Sequence, residues 1–183
     1  MAVASRNNFK ELLETLIRAQ GLNVNKATSA EAVAVGEHGF GNWTPLIIAC
    51  YARNPEIVKI LIERKSKSIK WTFKDLKGRT ALHWAAWRCA ASTKLLTKVR
   101  GLDWNQVDHD GRPPLYHALW DGNDEAVRAI ISMPKINFQV RTEKGETLAG
   151  ACLRSKNGNP VKCLEILISI PEMQWDISIL VIS

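Results

Sequence analysis

Tyrosine is scarce in this chain: two stand against seven tryptophans in 183 residues that are 46% hydrophobic. Acidic residues are scarce in one place. Residues 64 to 100 hold eleven Lys or Arg against the single acid Asp75, so this segment is +10 within a chain of net charge +7. The basicity is local. Metal-site spacing is missing too: Cys50, Cys89, Cys152 and Cys163 form neither CxxC nor the Cys/His spacing of a zinc site. Each stands in an apolar helical context, where a free thiol behaves as a small hydrophobe. No apolar run reaches the length of a bilayer span, and the longest, ISILVIS, falls far short. The first sixteen residues contain no apolar run of signal-peptide type. These absences argue against a zinc site, a disulfide framework and a membrane-spanning helix. The expectation is an intracellular protein, cytoplasmic or nuclear, with reduced thiols.

What is present is a repeat. The decapeptide GRTALHWAAW, Gly78 to Trp87, returns as GRPPLYHALW at 111–120, GETLAGACLR at 145–154 and, more loosely, NWTPLIIACY at 42–51. Counted from Thr44, Thr80, Pro113 and Thr147, the spacings are 36, 33 and 34 residues, the signature of stacked units. Each copy is followed by a second helical pattern: NPEIVKILIER, AASTKLLTKV (shifted in phase), NDEAVRAIISM and NPVKCLEILIS. Pro55 and Pro160 fall where the first turn of that helix begins, a place that tolerates a missing N–H. Between units an aromatic recurs (Trp71, Trp104, Phe138, Trp175), followed by DLKG, DHDG or TEKG. Asp with Gly three residues later suits a tight turn in which the carboxylate takes local N–H groups. The recurring aromatics are expected in the core between units.

These residues resemble the ankyrin-repeat family, whose signature is a β-turn and two helices, the first opening with T-P-L-H-x-A. Asp75, Gly78, Thr80, Leu82, His83 and Ala85 match it closely, and Thr44-Pro45-Leu46 with Ala49 matches well. The fourth unit departs, with Leu148, Ala149 and Gly150 at the Pro, Leu and His places and SKNGN lengthening its inter-helix turn. The resemblance implies an all-α solenoid of four repeats, at 41–74, 75–107, 108–141 and 142–177. Residues 1–40 read as an N-terminal cap and loop: Asn8 is a candidate N-cap for the amphipathic FKELLETLI, and GLNVN resembles a repeat ending. Nineteen positions separate Asn25 from Thr44, against eight between Asn105 and Pro113, so an inserted loop is expected. ISILVIS lacks the polar face of a terminal repeat and is expected to continue an array or to form a partial cap.

No Ser/His/Asp, Cys/His or paired-carboxylate set falls at equivalent repeat positions, so no catalytic residue, cofactor or metal is assigned. Asp108-His109-Asp110 belongs to the turn motif. In the family that this chain resembles, the histidine at the place of His83 bonds neighbouring turn backbone, which makes it structural. The resemblance also places partner-facing side chains at the turn tip and at the end of the first helix. Those residues are Trp43, Tyr51, Arg79, Trp87, Arg88, Arg112 and Trp120, of types enriched at binding hot spots. The expected activity is non-enzymatic binding of a protein or peptide on a concave surface. The alternative is the basic stretch with Lys65, Lys67, Lys70, Lys74 and Lys77, whose interleaved aromatics suit an anion, a single-stranded nucleic acid or a phospholipid headgroup.

Overall fold

The computed structural model describes residues 23–27 and 42–173, except the side chains of Lys65 and Ser66. Among these residues the helices come in four pairs: α1 (Pro45–Tyr51) with α2 (Pro55–Lys65), α3 (Ala81–Arg88) with α4 (Ala90–Leu96), α5 (Pro114–Trp120) with α6 (Asp124–Ile131), and α7 (Leu148–Leu153) with α8 (Pro160–Ile168). A 3-10 turn, Ser66–Ser68, follows α2, and a single antiparallel bridge joins Arg141 to Thr147.

Local chemistry sets the helix starts. The hydroxyls of Thr44, Thr80 and Thr147 accept the N–H groups of Ile47, Leu82 and Gly150, satisfying orphan donors of the first turn. Pro113 takes the same place without a side-chain cap, and Pro45 and Pro114 occupy positions where no N–H is needed. Three of the second helices start on asparagine: Asn54, Asn123 and Asn159 accept from Ile57, Ala126 and Lys162. The phase shift in the second unit has a physical cause. Cys89, extended at φ −153° and ψ 99°, is both the end of α3 and the cap of α4, so one residue joins the pair. The other pairs need a longer turn that passes through the left-handed region at Arg53, Gly122 or Gly158.

Within each unit the first helix packs on the second, and between neighbouring units first helices pack on first and second on second. Leu46, Leu82 and Leu115 are buried between them, and the small residues Ala49, Ala85, Ala118 and Cys152 let the backbones approach. The second helices contribute Ile57, Val58 and Leu61, then Leu96, then Val127 and Ile130, then Ile166 and Leu167. The core is a strip along the stack, as a one-dimensional array requires.

Turns project between units. Asp75 accepts the N–H groups of Lys77 and Arg79 at 2.8 and 2.9 Å, and Asp108 those of Asp110 and Arg112, both at 2.9 Å. Successive turns bond to each other, His109 N–H to Lys77 O at 3.0 Å and Glu143 N–H to Asp110 O at 2.9 Å. Asn105 donates to Lys135 O and accepts from Asn137 N–H. Asn25 repeats that pairing with Ser68 O and Lys70 N–H. Of the recurring aromatics, Trp104 is buried while Trp71 and Phe138 are half-buried against the core. Trp175, the FKELLETLI segment with Asn8, most of the expected inserted loop and ISILVIS lie outside the described residues.

Candidate functional site

The residues at the ends of the first helices sit beside an unbroken run of ring contacts. Trp43 meets Tyr51 at 4.8 Å and Trp84 at 5.0 Å between centroids, and Tyr51 meets Trp84 edge-on at 5.3 Å. Trp84 stacks on Trp87 at 5.2 Å, and Trp87 stacks on His117 at 5.7 Å. His117 meets Tyr116, which stacks on Trp120 at 6.2 Å with planes 13° apart. Seven rings therefore connect three units. Offset-stacked and edge-on pairs of this kind each add roughly 0.5–1.5 kcal/mol beyond area burial.

Each arginine in the predicted set lies over one of these rings. Arg79 is 4.1 Å from the Trp84 ring, Arg88 5.3 Å from Tyr51 and Arg112 5.4 Å from Tyr116. Arg79 is pinned further by its Nε, which donates to Asp75 at 2.9 Å, and the same carboxylate oxygen accepts the Trp84 indole N–H at 2.9 Å. In the third unit His117 stands where Trp84 stands, and its Nε2 lies 2.9 Å from Asp108. Burial opposes the charge of Asp108. The hydrogen bond and charge of His117, with the Arg112 N–H, outweigh it and hold the carboxyl below its ordinary range.

The predicted residues divide by exposure. Trp43 at 4% and Arg79 at 7% are buried, behind the more open members of the set. The sequence placed both just before a helix anchor, but ring and carboxylate contacts draw them inward. Tyr51, Trp87, Arg88 and Arg112 are half-buried, and Trp120, at 38%, is the most open of the aromatic set. At the fourth unit the row ends in Arg154, paired with Glu146, whose other oxygen accepts the Tyr116 hydroxyl at 2.6 Å. Burial and that carboxylate push the Tyr116 phenol well above its usual range. Between the second and third units lies a cleft of about 280 Å³, lined by Lys77, Trp87, Arg112, Tyr116, His117 and Trp120 among others.

His83 is fully buried and both ring nitrogens are engaged. Nδ1 accepts the Thr80 N–H at 3.0 Å, so Nε2 carries the proton and donates to Arg112 O at 3.1 Å. It thus completes a capping box and ties α3 to the next turn. Burial, then the charge of His117, lowers its pKa to about 3, which leaves it neutral. The basic residues do not converge in the same way: Lys67, Lys70, Lys74 and Lys77 are exposed, and Lys74 Nζ donates to Val107 O at 3.0 Å. The Lys65 side chain is outside the described residues. Sequence reasoning missed Trp84 and His117 as links of the ring run. The signal was there: both stand four residues after an anchor and nine after a turn aspartate.

The family model for ankyrin repeats (three copies) matches residues 1–108, and the chain belongs to the ankyrin-repeat family. Human Inversin is 36% identical over 108 residues, which cover 52% of this chain and 9% of that protein. Mouse Inversin is 35% identical over 108 residues, 52% of this chain and 9% of its own length. The mouse B-cell lymphoma 3 protein homolog is 31% identical over 104 residues, covering 56% of this chain and 22% of its own length. The chain therefore spans less than a quarter of the length of these relatives. Ankyrin repeats generally mediate protein–protein interaction, and the family is typically a non-enzymatic scaffold. No helix among the described residues is long and apolar enough to cross a membrane.

Proposed function

We propose that this protein is an intracellular, non-enzymatic scaffold that binds a segment of another protein along Tyr51, Trp87 and Trp120, with Arg88 and Arg112 beside them. The observation that carries the reading is the ring run, which rises from the buried Trp43 to the open Trp120 over three units. Rings held on one another have little freedom left to lose, so a partner meets a preformed surface at low ordering cost. Trp87 serves both purposes, stacked on Trp84 and bordering the cleft, whereas Trp120 stands at the end of the run.

The test compares partner capture by the wild-type chain with capture by Trp120→Ala and by the double variant Lys70→Glu/Lys74→Glu, at low and high salt. Losing a central aromatic costs ~2 kcal/mol, about thirtyfold in dissociation constant, so Trp120→Ala should release the captured partner. The double lysine variant should keep it. Capture that survives Trp120→Ala but fails in the lysine variant, and weakens steeply with salt, would move the site to the basic stretch and the partner class to polyanions.

A further inference from the structure

The lengthened inter-helix turn of the fourth unit, SKNGN, has chemistry of its own. It holds the one Asn-Gly pair of the chain, Asn157-Gly158, where the third and fourth units meet. We propose that Asn157 is a modification site: it loses its side-chain amide to attack by the Gly158 backbone nitrogen, and the product opens this contact.

The nucleophile is available. Glycine has no Cβ to hold its nitrogen away from the preceding side chain. Asn157 and Gly158 are exposed, and the Gly158 N–H makes no hydrogen bond among the described residues, so no acceptor has to release it. It is also polarised. Ser155 Oγ donates to Asn157 O at 3.0 Å, and that carbonyl belongs to the same peptide unit as the Gly158 N–H. Drawing electrons to the oxygen makes the N–H at the other end more acidic.

The reaction balances with water as the only co-reactant. The Gly158 nitrogen gives up its proton and bonds to Asn157 Cγ. The Cγ–Nδ2 bond breaks, and the amide nitrogen leaves with a proton as ammonia. Water then opens the succinimide on one of two sides. Breaking the new bond to Cγ gives aspartate. Breaking the bond to the main-chain carbonyl gives isoaspartate, whose backbone runs through Cβ and Cγ and is longer by one methylene.

The surroundings decide what this product does. A Cβ on Gly122 would stand 2.3 Å from Asn157 O, and one on Gly158 2.3 Å from Gly122 O, so the turn has no space for a longer backbone. The departing Nδ2 is also the donor to Asp121 at 3.3 Å, and Asp121 takes a hydrogen bond from the Trp87 side chain. The change therefore reaches the candidate binding surface through one residue. Arg53 and Arg88 line the same hollow and offset the new negative charge, so the methylene, more than the charge, opens the contact.

The full chain is aged at physiological temperature and mildly alkaline pH. Peptide mapping, which separates aspartyl from isoaspartyl forms, and hydrogen exchange follow it. The mass gain of an amide-to-acid exchange should appear at Asn157 ahead of every other asparagine, chiefly as isoaspartate. Ser155→Ala should slow it roughly two- to tenfold, the range for losing one hydrogen bond, and should have no effect on the chain unfolded in urea. Amides of α7 and α8 should exchange about tenfold faster in the aged chain, and less than about threefold faster in Asn157→Asp, which adds the charge without the methylene. A gain at Asn157 in the urea-unfolded chain but none in the folded one overturns the site. An unchanged rate in folded Ser155→Ala overturns the polarising role. Equal exchange in aged and fresh chains, or Asn157→Asp exchanging as fast as the aged chain, overturns the opening of the contact by the longer backbone.

Discussion

The second and third units are joined in one way and the third and fourth in another. Between the second and third the side chains do the joining, through Trp87 on His117 and through His83 to the Arg112 carbonyl. Both joints share a backbone bond between turns, and the third and fourth add the Tyr116–Glu146 bond, but at the inter-helix turn of the third and fourth units backbone lies directly against backbone. Asn159 N–H donates to Gly122 O at 2.8 Å, and a Cβ on Gly158 would stand 2.3 Å from that same oxygen. Gly122, reciprocally, has no room for a Cβ, which would lie 2.3 Å from Asn157 O. Both glycines have positive φ, at 66° and 56°. Asn157 adds a side-chain bond to Asp121, whose carboxyl burial pushes upward against that bond and against the charges of Arg53 and Arg88. The repeat frame fixes where neighbours meet but not the chemistry of the meeting. A ring joint leaves polar and aromatic groups at the surface for use; a glycine joint closes it.

The largest test of this contrast is Trp84→Ala, at the centre of the ring joint. Trp84 is 1% exposed, and its loss opens a cavity and leaves Asp75 short of one donor. A loss of ~3–5 kcal/mol, read by denaturant titration, is expected. A loss under ~1 kcal/mol would mean that the run is decoration. Gly158→Ala should come next, at ~2–3 kcal/mol, because the added Cβ meets a carbonyl oxygen at a backbone angle that alanine resists. Hydrogen exchange should place that damage in α7 and α8, with α3 and α4 unchanged. Damage spread evenly over all pairs would contradict independent joints.

A smaller effect, with a sign of its own, is expected from His83. Its folded pKa of about 3 lies below the unfolded value of 6.5, so between these limits the unfolded chain binds the extra proton. The stabilisation is fully present above pH 6.5 and drains away as pH falls toward 3, by up to ~1.4 kcal/mol per pH unit. His83→Gln should cost ~1 kcal/mol near neutrality and flatten that acid limb. An unchanged limb would show that His83 is not the group responsible. Smallest of all, Trp120→Ala should cost folding stability ~0.5–1 kcal/mol, the worth of its stack on Tyr116, since this ring ends the run at 38% exposure. Its effect belongs to binding.

The sequence made the frame legible because the frame is periodic. Thr44, Thr80 and Thr147 cap their helices, Asp75 and Asp108 hold their turns, and His83 bonds the next turn, as the spacing and the family resemblance imply. The site was legible only in part. Residue type and register pointed Tyr51, Trp87 and Trp120 to one edge, but burial depends on which neighbour is near, and that is a long-range property. Trp43 is buried because Trp84 stands across from it, and Arg79 because Asp75 and Trp84 hold it from two sides. Neither partnership follows from spacing within one unit. The single-residue link at Cys89 was visible only as an irregularity in the apolar phase of AASTKLLTKV.

Indoles about 5 Å apart, edge-on for Trp43 and Trp84 and stacked for Trp84 and Trp87, share their excited states, which gives the ring run an optical consequence. Light absorbed at Trp43, Trp84 or Trp87 does not report on one residue; it reports on the alignment of the set. The emission and near-ultraviolet dichroism of this chain are therefore dominated by the joints between the first three units, since the fourth carries one tryptophan, Trp175, against six in the rest. A transition followed by tryptophan fluorescence would weight the separation of these units far above that of α7 and α8. Circular dichroism in the amide region weights all four pairs alike, so any gap between the two curves measures how far the far end of the array melts on its own.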